Sequence, residues 1–175
     1  MKPLPDLPLE LKALNTAALL FISAGILMAL TYLDVSHTET TGILGIVTPK
    51  DIAKAYYGPG MSDNTLIGLA HIHMMGLFPV FWVIGFIFVH SRIAVGWRIF
   101  WSVLPFVAFP CDVAGWFLTH SFEPCVYITI IGGFLFVLST VVMILTSLYQ
   151  LWIVPWRQNR SPTANTSRAP GVTAE

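Results

Sequence analysis

The chain has 175 residues, of which 55% are hydrophobic and 10% charged, and its formal net charge is zero. Soluble domains carry about 25% charged residues, so this balance excludes an ordinary water-soluble globule. The neutral charge, with no basic patch interleaved with aromatics, excludes a nucleic-acid binder, and two cysteines make no disulfide framework.

Four apolar stretches follow one another at 14–33, 66–89, 97–119 and 126–153. A helix needs about 20 mostly apolar residues to cross the hydrocarbon core, and each stretch approaches or exceeds that. The predicted fold is therefore all-α: a four-transmembrane-helix bundle occupying 1–156, followed by a disordered cytoplasmic tail at 157–175. The tail is polar and lacks apolar periodicity. The first stretch follows Lys2 and Lys12 but exceeds the h-region of a signal peptide and ends at no small-residue cleavage site, so it is expected to remain as a helix.

Lysine and arginine excess near span ends marks the cytoplasmic side. Lys12 precedes span one, Arg92 and Arg98 bracket the turn between spans two and three, and Arg157 and Arg160 follow span four. The turn HSFEPC has no lysine or arginine, and the first loop offsets Lys50 and Lys54 with Asp34, Glu39, Asp51 and Asp63. Both termini are expected to be cytoplasmic and the long first loop outside, in a bacterial inner membrane. Trp97, Trp101, Tyr149, Trp152 and Trp156 would mark the inner headgroup region.

Within the first loop, AKAYYGPGMSDN predicts a short helix and a turn lying on the outer surface. Tyr56 and Tyr57 are the anchors of this lid, Gly58, Pro59 and Gly60 end its helix, and Ser62, Asp63 or Asn64 caps span two. An interfacial lid without chemistry and a lid over a ligand site both remain open.

Span two carries His71 and His73. They differ by only about 3 Å in depth but by about 200° around the helix, so they cannot both face one small target. His37 follows span one and His120 ends span three, also on the outer side, whereas His90 lies beside Arg92 at the inner interface. In span three, Asp112, Gly115, Trp116 and Thr119 share one helical face. An acid at that depth is costly unless paired or functional, and His71, His73 or Tyr32 is the expected partner of Asp112.

Imidazoles in a membrane bundle suit haem b or copper. The ligand candidates are His71, His73, His120 and His37, with Asp112 as an orienting or proton-relay group. Met61, Met74, Met75 and Cys125 are soft donors on the same side, although methionines in spans usually pack. The bland alternative is that the histidines join helices through hydrogen bonds. Cys111 reads as a small core residue. No nucleophile–base–orienter triad or glycine-rich nucleotide loop is present, which argues against an autonomous hydrolase.

Pro79, Pro105 and Pro110 interrupt hydrogen bonding within spans two and three. Span four presents Thr129, Gly132, Gly133, Phe136, Thr140, Met143 and Ser147 on one broad face; Gly132, Gly133 and Thr140 are the expected helix-packing positions.

The segment AHIHMMG, 70–76, resembles the histidine-bearing helices of short proteins related to the haem–copper oxidase catalytic subunit. The resemblance implies metal or haem ligation by His71 or His73 and a part in respiratory redox chemistry. A second HH motif and the other oxidase ligand helices are missing, so a full oxygen-reducing centre is not implied. The expectation is an accessory subunit of an oxidoreductase complex in electron transport, not an enzyme alone, with the lipid bilayer, other membrane subunits and quinol as partners. The alternatives are a non-catalytic packing or assembly subunit and a small copper-binding carrier.

Overall fold

The computed structural model describes residues 2–36 and 48–160. The regular structure of the described residues is all helical, with four helices long and apolar enough to cross a membrane and no strand. In chain order they are a 3₁₀ turn Leu4–Asp6, α1 (Leu9–Ser36), α2 (Pro49–Tyr56), α3 (Asp63–Phe88) and α4 (Val95–Ser121). A 3₁₀ turn Glu123–Cys125 leads into α5 (Val126–Leu148), a π-helical turn Tyr149–Ile153 and α6 (Val154–Arg160). Residues 161–175 lie outside the described residues, as does His37.

Local chemistry sets the boundaries. α2 starts on a capping box: the Thr48 hydroxyl accepts from the Asp51 backbone N–H, the Asp51 carboxylate accepts from the Thr48 N–H at 2.9 Å, and Pro49 occupies the first turn. The chain leaves α2 through extended Tyr57 and then Gly58 at φ 61°, a left-handed conformation that glycine adopts without the Cβ clash. Of the three capping candidates for α3, Ser62 takes the role, its hydroxyl accepting from Thr65 N–H. Pro79, Pro105 and Pro110 all sit inside continuous helices, as bundled membrane helices allow when neighbours compensate the freed carbonyls.

Packing is unequal. α4 and α5, antiparallel and joined by a short turn, form the most extensive helix pair. Small residues let their backbones approach. A Cβ placed on Gly132 would stand 2.6 Å from Asp112 N, 2.8 Å from its Cα and 2.9 Å from Ala108 O. A Cβ on Gly115 would stand 2.7 Å from Thr129 N. Thr129, Gly132, Ser139, Thr140, Met143 and Ser147 are all buried, and Thr140 donates its hydroxyl proton to Phe136 O at 2.8 Å. Gly133 lies against the Asp112 carboxyl, its Cβ position 3.9 Å from Cγ and Oδ1.

Two apolar clusters stack along the bundle. At one end Leu66, Ala70, Phe81, Phe109, Val113 and Trp116 pack together, with the Phe81 ring against those of Phe106, Phe109 and Phe136 and the Phe109 ring against that of Phe136. At the other end Leu4, Leu19, Ile84, Ile87, Phe88, Met143, Ile144 and Leu151 form the second cluster. α1 joins only this second cluster; Leu19 is its one buried residue among those whose side chains are described. Much of the outward surface is apolar, with Phe21 82% and Met28 73% exposed, a surface that hydrocarbon can cover and water cannot.

The N-terminal turn and the chain's last helices meet at one end of the bundle. Leu4 N donates to His90 O at 2.9 Å, and Arg92 holds both oxygens of Asp6 at 2.6 Å. The Gln150 side chain, buried in the π turn, accepts from Arg92 N at 2.6 Å, and Trp152 Nε1 donates to Thr16 Oγ1 on α1 at 2.9 Å. A π turn inserts one extra residue into the helix, which rotates Gln150 inward to meet the α3–α4 turn. Both described ends of the chain therefore lie on the same side of the bundle.

Candidate functional site

At the opposite end, α2 lies over α4 and α5, and three of the polar residues singled out by sequence, Asp112, His73 and His120, connect to it directly or through Trp116. Asp112 is 7% exposed and its Oδ1 accepts the Trp116 indole proton at 3.1 Å. Its partner is thus one turn away on its own helix, where the sequence pointed to a histidine of span two; the side chain of Tyr32 lies outside the described set. Trp116 is in turn sandwiched. Tyr56 of α2 stacks on it at 5.8 Å and 5°, and the His73 ring meets it edge-on at 5.6 Å and 90°.

His73 is held by its own helix, with Nδ1 2.8 Å from Leu69 O. His120 reaches across to the lid: Nδ1 donates to Tyr56 O at 2.8 Å, and Nε2 stands 3.5 Å from the exposed carboxylate of Asp63. Gly58 N donates back to His120 O at 3.3 Å. His120 consequently ties α2 to the end of α4 by side chain and backbone together. Tyr57, next to Tyr56 in the chain, is 44% exposed. Burial first, and the Asp112 charge second, push the Tyr56 phenol up to about 12.

His71 is elsewhere. The 200° offset puts it on the outward face of α3, exposed, while His73 faces Trp116. His90 takes the Phe86 carbonyl as its partner at 2.8 Å, far along the same helix. Cys111, expected in the core, is exposed; Cys125 is half-buried and both thiols are free.

This geometry overturns the haem b or copper site expected at His71, His73, His120 and His37. Among the described residues no group of three His, Cys, Asp or Glu side chains is placed to hold a metal ion. The physical reason is directional: His71 points outward, His73 is turned to its own backbone and an indole, and His120 is committed to the lid. The metal-binding, haem and copper readings fall with it, and the oxidoreductase, electron-transport and copper-carrier readings lose the site on which they rested. What the cluster does chemically is join elements through hydrogen bonds and ring contacts.

Trp116, Gln150, Ser91 and Arg98 take roles here that no motif in the sequence announces. Trp116 was seen as a member of a stripe but not as the donor to Asp112; its spacing of four from Asp112 on a helix was the signal available. Gln150, Ser91 and Arg98 carried no motif and became visible only through the π turn and the α3–α4 corner.

A bundle of four apolar helices of membrane-spanning length defines a polytopic α-helical membrane protein. The chain belongs to the Aq_1264_TM family, whose model, a transmembrane helical domain, matches residues 47–160. The match takes in α2 through α6 and leaves α1 outside it. Neither a curated protein nor a solved structure matches the chain.

Proposed function

We propose that this protein is a non-catalytic assembly subunit of a membrane complex. It would lie with its N-terminus and α3–α4 turn toward the cytoplasm, where Lys12, Arg92, Arg98, Arg157 and Arg160 gather. The observation that carries the reading is His71. It sits about two turns into α3, exposed, on a face with Gly68, Ile72 and Met75. Polar ionisable side chains within spans face protein or water by default, because hydrocarbon solvates them poorly. A neighbouring subunit's helix laid against this face would cover the imidazole, with Gly68 permitting close approach. The other polar groups support the same reading, since Asp112, His73 and His120 are engaged within the chain.

A photoreactive label on Ile72→Cys, used in native membranes, tests this. Ile72 is 67% exposed beside His71, and Phe134 on α5, 63% exposed, serves as the comparison. The label at 72 is expected to join a different polypeptide and the label at 134 to join lipid. Transfer from position 72 only to lipid, or only to a second copy of the chain, removes the reading.

A further inference from the structure

The corner between α3 and α4 forms a half-open cavity of about 490 Å³, lined by Lys2, Pro3, Val89, His90, Ser91, Arg92, Ile93 and Arg98. Three of these side chains are cationic. Arg92 is engaged by the Asp6 carboxylate, the acid in contact with this set, which leaves Lys2 and Arg98 to set the charge of the cavity. Arg98 uses one terminal nitrogen to donate to Val89 O at 2.8 Å, yet its Nε is buried with no hydrogen-bond partner. The Ser91 hydroxyl is likewise unpartnered, on a residue only 3% exposed. Two buried donors without acceptors, on residues that line a cationic cleft, are costly unless an acceptor reaches them.

We propose that this cavity binds a phosphate group. Phosphate offers several anionic oxygens at angles that a guanidinium Nε–H, a hydroxyl and an ammonium can share, and charge-assisted bonds of this kind are the strong ones. The position favours a phosphate carried by a lipid. Trp97 and Val95, 59% exposed each, flank the same corner at the start of α4, and exposed tryptophan marks headgroup depth. Basic pockets between membrane helices suit anionic headgroups, and this cavity exceeds the needs of a bare phosphate ion. The site is independent of the α2 cluster and of the His71 face, so it stands or falls apart from the assembly role.

The full chain in mild detergent tests the proposal by thermal unfolding in three additions: phosphatidylglycerol, phosphatidylcholine at equal mole fraction, and inorganic phosphate. Phosphatidylglycerol is expected to raise the midpoint clearly more than phosphatidylcholine. That increment should fall at least threefold in Arg98→Gln and in Ser91→Ala, and persist in Arg157→Gln on the same side of the bundle. An increment with inorganic phosphate, lost in the same two variants, supports the site with free phosphate as its source. Should Arg98→Gln fail to fold through loss of its bond to Val89 O, Lys2→Gln takes its place beside Ser91→Ala. Equal response to the two lipids with none to phosphate, or an increment that survives the cavity variants, overturns the proposal.

Discussion

At residue scale the sharpest constraint is the contact between Gly132 and the backbone of Asp112. The atoms that a new methyl would meet belong to the main chain of α4, at 2.6–2.9 Å, and cannot swing aside as a side chain would. Gly132→Ala is therefore expected to cost about 1–3 kcal/mol through forced separation of α4 and α5. The gain of up to about 1 kcal/mol in helix propensity is too small to offset it. Gly76→Ala meets nothing within 4 Å and should be neutral or stabilising; unfolding in detergent compares the two. Equal effects would mean that the approach of α4 and α5 is less tight than described.

Tyr56 gives a second test at this scale. Its phenol holds its proton to about 12, above the ordinary value near 10, chiefly because of burial. The native state therefore binds that proton more tightly than the unfolded chain. The associated stability is complete below pH 10 and is lost as pH rises from 10 toward 12. Absorbance titration of tyrosinate should show a late component that disappears in Tyr56→Phe.

At the scale of elements, α2 is a short helix with little burial of its own; Ile52 is its one buried residue. An isolated helix of this length is unstable in water, so its position depends on what holds it to α4. His120 supplies a side-chain bond to Tyr56 O and receives one at its own carbonyl from Gly58 N. The second bond is made by the backbone and survives substitution; the first does not. His120→Ala is expected to speed amide exchange and proteolysis at 48–61 by about fivefold or more, which corresponds to the roughly 1 kcal/mol of one hydrogen bond. Exchange in α4 and α5 should stay unchanged. Loss of protection in all helices at once would show that α2 and the spans unfold as one unit.

At the scale of the whole molecule, the bundle divides into the α2–α6 unit that the family model matches and an α1 attached to it at one end. Leu19 is fully buried in that attachment whereas Met28 is 73% exposed. Hydrocarbon is as apolar as leucine, so the transfer part of a truncation cost vanishes in lipid and the packing part remains. Leu19→Ala should therefore cost about 2 kcal/mol, at the low end of core truncations, and loosen α1 ahead of the other spans. Met28→Ala should do neither. Cysteine crosslinking between α1 and α3 across a thermal ramp separates local loosening from global unfolding.

Much of this fold is written in composition and period. Four apolar runs of spanning length require four helices, Gly58 to Gly60 mark where the lid helix stops, and Ser62 to Asn64 mark where span two starts; the Thr48 capping box emerged only from the structure. The period of 3.6 residues also decides that His71 and His73 face apart and that Asp112 and Trp116 share a face. Period does not say which side of each helix meets a neighbour, because in lipid both sides are apolar and the hydrophobic contrast that orients a soluble helix is missing. That choice was made by the close approach of α4 and α5 at Gly115 and Gly132 and by the lid. It turned His73 inward to an indole and left His71 outside. It took His120 for the lid, and it enclosed Ser91 and Arg98 in a corner that no motif announces.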